Sequence, residues 1–170
     1  DKFKISFLPS YSGVKLRVCS VLDNEKKEDF KNVCADIMGD IKKFCYGVND
    51  DKIEEVVCNL LIKKKLSISF AESCTGGLIS KKITDIPGSS ACYDGSIIAY
   101  SNIVKEKQLS VPKAVLKTHG AVSAEVALIM ATNIKKIFNS DVGLSVTGIS
   151  GPGGATDSKP VGLVYIAIIY

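Results

Sequence analysis

The stretch SISFAESCTGG, Ser67 to Gly77, begins as an alternating apolar run and stops at Glu72-Ser73, giving way to Cys74-Thr75-Gly76-Gly77. That is the pattern of a strand ending in a small, hydroxyl-rich turn that opens a helix. Backbone N–H groups at a helix N-terminus are unpaired and point outward, so such a turn holds anions and exposes a serine as a nucleophile. A second glycine-rich turn, TGISGPGG from Thr147 to Gly154, follows the apolar strand Asp141 to Val146. Two such strand-to-loop turns in one domain point to a small-molecule site.

Outward from Ser67, helix and strand patterns alternate. A helix from Lys52 to about Lys64 carries Ile53, Val56, Val57, Leu60 and Leu61 as its expected buried stripe. The strand Ser67 to Ala71 leads into a helix over Thr75 to Ile83, then a strand from about Asp94 to Ser101 and a helix from Ile103. Further helices are expected near Pro112 to Lys117 and over Ala124 to Phe138, with strands at Asp141 to Val146 and Val161 to Ile169. This alternation predicts an α/β fold with a largely parallel sheet and helices on both faces, the glycine-rich link allowing the last two strands to pair antiparallel. Ligands in such sheets sit beyond the strand ends, here the Ser73 turn and the Tyr100-Ser101-Asn102 turn.

Residues 1–48 read as a separate small α+β unit. It has strands near Lys4 to Leu8 and Val14 to Leu22, a helix from about Asn24 to Asp40 with Phe30, Val33, Cys34 and Ile37 on one face, and a short return strand near Lys43 to Tyr46. The turn-like Gly47 to Asp51 places the boundary, leaving 49–170 as the second domain.

With 170 residues and 46% hydrophobic content the chain has material for one good core and a smaller unit. No apolar run approaches the roughly 20 residues that span a bilayer, and no export signal is visible, so a cytoplasmic protein without membrane partners is expected. The net charge of +4 comes from dispersed lysines, which argues against nucleic-acid binding. Six cysteines without a C-x-x-C pair and a single histidine argue against zinc. Cys74 opens a helix, where the dipole would lower its thiol pKa, although a structural cysteine is the plainer reading.

A serine–histidine–acid triad would need His119, but Lys117-Thr118-His119-Gly120 reads as a helix end, which favours a capping or surface role. A lysine base remains. Lys105 falls in the first turn of the helix that Asn102 is expected to cap, where the dipole disfavours an ammonium. Two serines compete as nucleophile: Ser73 at the strand-to-helix turn, and Ser90 in Pro87-Gly88-Ser89-Ser90, which would otherwise orient substrate or accept a proton. The choice between them is open. The TGISGPGG loop has neither the Lys-Ser/Thr end of a P-loop nor G-x-G-x-x-G spacing, yet its backbone is suited to wrap a phosphate, ribose or amide.

Taken together, AESCTGG (Ala71 to Gly77), DIPGSS (Asp85 to Ser90), IIAYSN with Lys105, HGAVS (His119 to Ser123), and VTGISGPGG with KPVG (Lys159 to Gly162) resemble the CinA C-terminal family. The resemblance runs from about Ile53 to the last residue, with the motifs in order. It implies a three-layer α/β/α sandwich with a mixed, mostly parallel sheet, and a cofactor-free, metal-independent serine amidohydrolase converting nicotinamide mononucleotide to nicotinate mononucleotide and ammonia. Carried onto matching positions, Ser73 is the nucleophile and Lys105 the base, with Tyr100 and Ser90 lining the reacting centre. Thr75, Gly76 and Gly77, with Thr147, Gly148, Gly151, Gly153 and Gly154, would contact the nucleotide.

The first unit resembles the linker that joins this domain to an N-terminal molybdopterin-binding-like domain in longer members. The absence of a methionine at Asp1 and the apolar run ending at Tyr170 read as the two ends of a piece of such a chain. The strand Val161 to Ile169, apolar on both faces, is expected to be interior, and association with a second copy follows if its cover is missing. The alternative to an amidohydrolase is a non-catalytic nucleotide-binding or interaction module of a competence-associated protein.

Overall fold

The computed structural model describes residues 2–10, 13–21 and 27–170, in two compact units, Asp1–Asp50 and Asp51–Tyr170. In the first, strands β1 (Phe3–Ser10) and β2 (Gly13–Ser20) form an antiparallel ladder with Phe3 opposite Ser20, followed by helix α1 (Lys27–Ile41). The half-buried side of α1 carries Phe30, Val33, Cys34 and Ile37, the stripe its periodicity predicts, and the Phe30 ring meets that of Phe3 at 6.0 Å. The expected strand end at Leu22 and helix start at Asn24 lie outside the described residues. The return strand expected near Lys43 to Tyr46 is absent among the described residues; Lys42–Phe44 instead form a 3₁₀ turn that continues α1, with Phe44 exposed.

The second unit is built on a four-stranded sheet in the order β4-β3-β5-β6, comprising β3 (Ile68–Glu72), β4 (Tyr93–Ile98), β5 (Val142–Gly148) and β6 (Val164–Ile169). β3 pairs parallel with both β4 and β5, while β6 pairs antiparallel with β5. All five residues of β3 are buried, as befits the central strand of a sheet covered on both faces. On one face Cys58 and Leu61 of helix α2 (Ile53–Lys64) and Ile83 of α3 (Leu78–Thr84) pack with Ile68 and Phe70. On the other, Leu109 of α4 (Asn102–Leu109) and Val126, Met130 and Ile134 of α6 (Ala124–Phe138) pack on Ala71 and Ala99. Helix α5 (Lys113–His119) lies against α6. The unit is thus a three-layer α/β/α sandwich. No helix among the described residues is long and apolar enough to cross a membrane.

Two core expectations are corrected. Helix α2 is rotated so that Cys58 and Leu61 face the sheet, whereas Ile53, Val57 and Leu60 are exposed. β6 is an edge strand among the described residues: Tyr165, Ala167 and Ile169 are half-buried and Val164, Ile166 and Ile168 exposed, because α6 covers one of its faces and, among those residues, it pairs with β5 alone.

Candidate functional site

The three parallel strands end together, and the turns beyond them enclose a cavity of about 310 Å³. Glu72 ends β3, and the chain leaves through Gly76 and Gly77, at φ +59° and +97°, a left-handed pair that glycine adopts without strain. The Ser73 N–H donates to the Val146 carbonyl at 2.9 Å and the Ser73 carbonyl accepts from Gly76 N–H at 3.1 Å, so the residue is pinned on both sides. Its hydroxyl faces the cavity.

Glu72 is wholly buried beneath this turn. Its Oε2 accepts from the N–H groups of Gly77 (3.0 Å) and Ile79 (3.1 Å), and Oε1 accepts from the N–H (2.8 Å) and hydroxyl (2.5 Å) of Ser80. Burial pushes this carboxyl upward, but hydrogen bonds from Ser80 and the helix start outweigh it and hold the group below the usual range. The carboxylate thus caps α3 and fixes the turn carrying Ser73. Sequence reasoning passed over this residue. The signal was available in a lone acid between a buried strand and a glycine pair opening a helix.

Lys105 enters from α4, 1% exposed. Its Nζ donates to Ser73 Oγ at 2.8 Å and to the carbonyls of Ala99 (2.6 Å) and Tyr100 (3.1 Å). Burial pulls its pKa down, with the Cys74 sulfur acting in the opposite direction. As a neutral amine, Lys105 has its two N–H groups taken by the two carbonyls, and its lone pair is left to Ser73 Oγ, the one partner of the three that carries a proton. The cause of the shift is burial rather than the dipole argued from sequence. The helix cap is Ser101, whose hydroxyl accepts from Val104 N–H at 3.3 Å, not Asn102.

Tyr100, 74% exposed, stands at the cavity mouth beside Cys74. Burial raises the Cys74 thiol, against the lowering expected from a helix start, while the N–H groups of Cys74 and Thr75 and the charge of Lys105 only partly offset it. Thr147 and Gly148, at the end of β5, form the floor, and Gly151, Gly153 and Gly154 form one wall. Ala121 and Val122 line the cavity too, residues that were not singled out one by one.

The structure therefore brings together Ser73, Lys105, Tyr100, Thr147, Gly148, Gly151, Gly153 and Gly154. Thr75, Gly76 and Gly77 build the Ser73 turn without lining the cavity. Ser90 is not brought to it. The 3₁₀ turn Ser89–Ala91 precedes β4, where Ile68 N–H donates to the Cys92 carbonyl, so Ser90 is exposed at the opposite, N-terminal edge of parallel β3 and β4. A five-residue strand spanning about 16 Å separates that edge from Ser73. His119 lies outside the cavity, ending α5 before Gly120 and pairing with Glu125 at 3.3 Å. Among the described residues no three His, Cys, Asp or Glu side chains group as a metal site requires.

A doubly covered, mostly parallel sheet with a buried serine–lysine contact at its strand ends defines an α/β protein with a cavity at those ends. The family model for the CinA C-terminal domain matches residues 50–170, and the chain belongs to that family. A CinA-like protein of Dictyoglomus turgidum is 49% identical over 148 residues, covering 85% of this chain and 36% of that protein. One from Prochlorococcus marinus is 48% identical over 157 residues, covering 91% and 36% respectively. The chain thus spans about a third of the length of these relatives. Among solved structures, the competence/damage inducible protein CihA of Agrobacterium tumefaciens superposes with a TM-score of 0.65 at 40% identity, covering 72% of this chain and 76% of that one. A competence-damaged protein (CinA) superfamily protein of Escherichia coli gives 0.67 at 29% identity, covering 75% and 77%.

Proposed function

We propose that the cavity hydrolyses the carboxamide of nicotinamide mononucleotide to a carboxylate, releasing ammonia. The observation that carries the reading is the buried 2.8 Å contact between Lys105 Nζ and Ser73 Oγ, with two carbonyls aligning the amine. Neutral Lys105 takes the Ser73 proton as Oγ attacks the carboxamide carbon, forming a tetrahedral oxyanion. Lys105 then returns the proton to the departing nitrogen; the C–N bond breaks, ammonia leaves and an acyl ester on Ser73 remains. Water, deprotonated by Lys105, cleaves the ester and regenerates the hydroxyl, giving nicotinate mononucleotide. The face of Tyr100 suits a cationic pyridinium ring at the mouth. The Thr147 to Gly154 backbone would follow the ribose and phosphate.

The test is ammonia release from nicotinamide mononucleotide by the full chain, with chelator present, alongside Ser73→Ala. Turnover in chelator and a loss of at least about 10³-fold in the variant are expected. Tight binding of the nucleotide with no release of ammonia would favour the binding-module reading. Dependence on added zinc or magnesium would overturn the mechanism.

A further inference from the structure

Two segments singled out in the sequence, His119 to Ser123 and Lys159 to Gly162, take no part in the serine–lysine chemistry, and the structure joins them. Lys159 Nζ donates to the carbonyls of His119 and Val122, each at 2.6 Å. Ser123 Oγ donates to the Gly120 carbonyl at 3.1 Å, and Thr147 Oγ1 to the Ala121 carbonyl at 2.9 Å. Four successive carbonyls of the α5–α6 connection, 119 to 122, are thus each held by a side chain. Ser123 and Thr147 belong to buried positions at element ends, whereas Lys159 reaches across from the loop that carries the glycine-rich wall.

That loop is tied at its base, where Ile149 N–H donates to Leu163 O (2.9 Å) and Gly162 N–H to Ile149 O (2.8 Å). It is tied again between Thr156 and Lys159 (2.9 and 3.1 Å). Its far end otherwise consists of exposed residues, Pro152 to Ser158. Lys159 is not among the residues that line the cavity, and its two hydrogen bonds go to His119 and Val122 rather than to Ser73 or Lys105. Its two bonds nevertheless span the distance between the wall at Gly151 to Gly154 and the lining residues Ala121 and Val122. An ammonium shared by two carbonyls makes stronger bonds than a neutral donor would.

We propose that Lys159 is a positioning residue for substrate affinity: by clamping the glycine-rich wall to the 119–122 connection, it holds the cavity at the width that receives the nucleotide. The proposal rests on the reading of the cavity as the nicotinamide mononucleotide site. The clamp itself is measurable without it.

The experiment compares Lys159→Met and Lys159→Arg with wild type in the full chain, by amide hydrogen exchange over 149–163 and by steady-state kinetics. Methionine keeps the stem and loses both donors; arginine keeps two donors. In Lys159→Met, exchange in that loop is expected to quicken about tenfold or more, KM to rise on the order of tenfold and kcat to stay within about threefold, with Lys159→Arg recovering most of each effect. Unchanged exchange in Lys159→Met would overturn the clamp, whether or not the protein turns over nicotinamide mononucleotide. A collapse of kcat at constant KM would overturn the affinity role. Wild-type protein inert toward the nucleotide would refute the deamidase reading alone, and the exchange comparison would still decide the clamp.

Discussion

Lys105 sets the chemistry at the residue scale, and its titration carries a sign. Burial lowers its pKa, so between the folded value and the ordinary lysine value the unfolded chain binds more protons, and stability rises with pH across that window. Lys105→Met is therefore expected to gain most on wild type at the acid end of a series of thermal melts, and the difference to shrink as pH climbs toward about 10. A constant difference would mean that the amine titrates normally. Glu72 has the opposite sign, its stabilisation being present above the ordinary carboxyl range and lost as pH falls through the folded value. Glu72→Gln should cost about 2–4 kcal/mol in urea melts at neutral pH, since the amide nitrogen accepts no hydrogen bond, and the deficit should narrow only below about pH 4. Equal neutral-pH stability of the two proteins would show the cap to be dispensable. From the residues alone Ser73 and Lys105 were candidates just beyond strand ends, with Ser90 still in competition, and it was the family resemblance that paired them. The burial of Lys105 and the four donors around Glu72 were not legible, being products of tertiary packing rather than of spacing.

Helix α6 and strand β5 approach each other closely at Gly143. A Cβ built there would stand 2.2 Å from the Ala131 carbonyl oxygen and 2.7 Å from Lys135 Cβ, so helix and strand touch backbone to backbone. Gly143→Ala is expected to push α6 outward and destabilise the protein by about 2–3 kcal/mol, read as a lower midpoint in chemical denaturation. A midpoint shift under about 0.5 kcal/mol would mean that the helix slides freely on the sheet. Element type was largely readable where apolar periodicity was long: α6 begins and ends where its sequence pattern does, at Ala124 and Phe138. It failed in short segments. Lys43 to Tyr46 is too brief for alternation to outvote the preceding helix, and the neighbouring Ser101 and Asn102 offer equivalent capping side chains that only backbone geometry separates. The face of α2 was misjudged because apolar residues almost encircle it, leaving its rotation to be set by the packing of Cys58 and Leu61.

Over the whole molecule, apolar character alone could not distinguish an interior strand from an edge, as β6 demonstrates. Its exposed Val164, Ile166 and Ile168 form a continuous apolar stripe, of the kind that drives association. Replacing Ile166 and Ile168 together by lysine is expected to lower self-association in light scattering at matched concentration while changing stability little. Scattering identical to wild type would place any association elsewhere. The same face of the sheet, where α2 and α3 cover its inner strands, carries a different consequence. Cys58 and Cys92 lie with their sulfurs 3.1 Å apart, both buried, where burial and Cys58 push the Cys92 thiol up to about 12. Neither is open to an alkylating reagent in the closed protein, since one lies on the sheet-facing side of α2 and the other at the entry to β4. Their labelling rate is therefore a clock for the separation of that helix layer from the sheet: it reports the free energy of a local opening rather than the reactivity of a thiol.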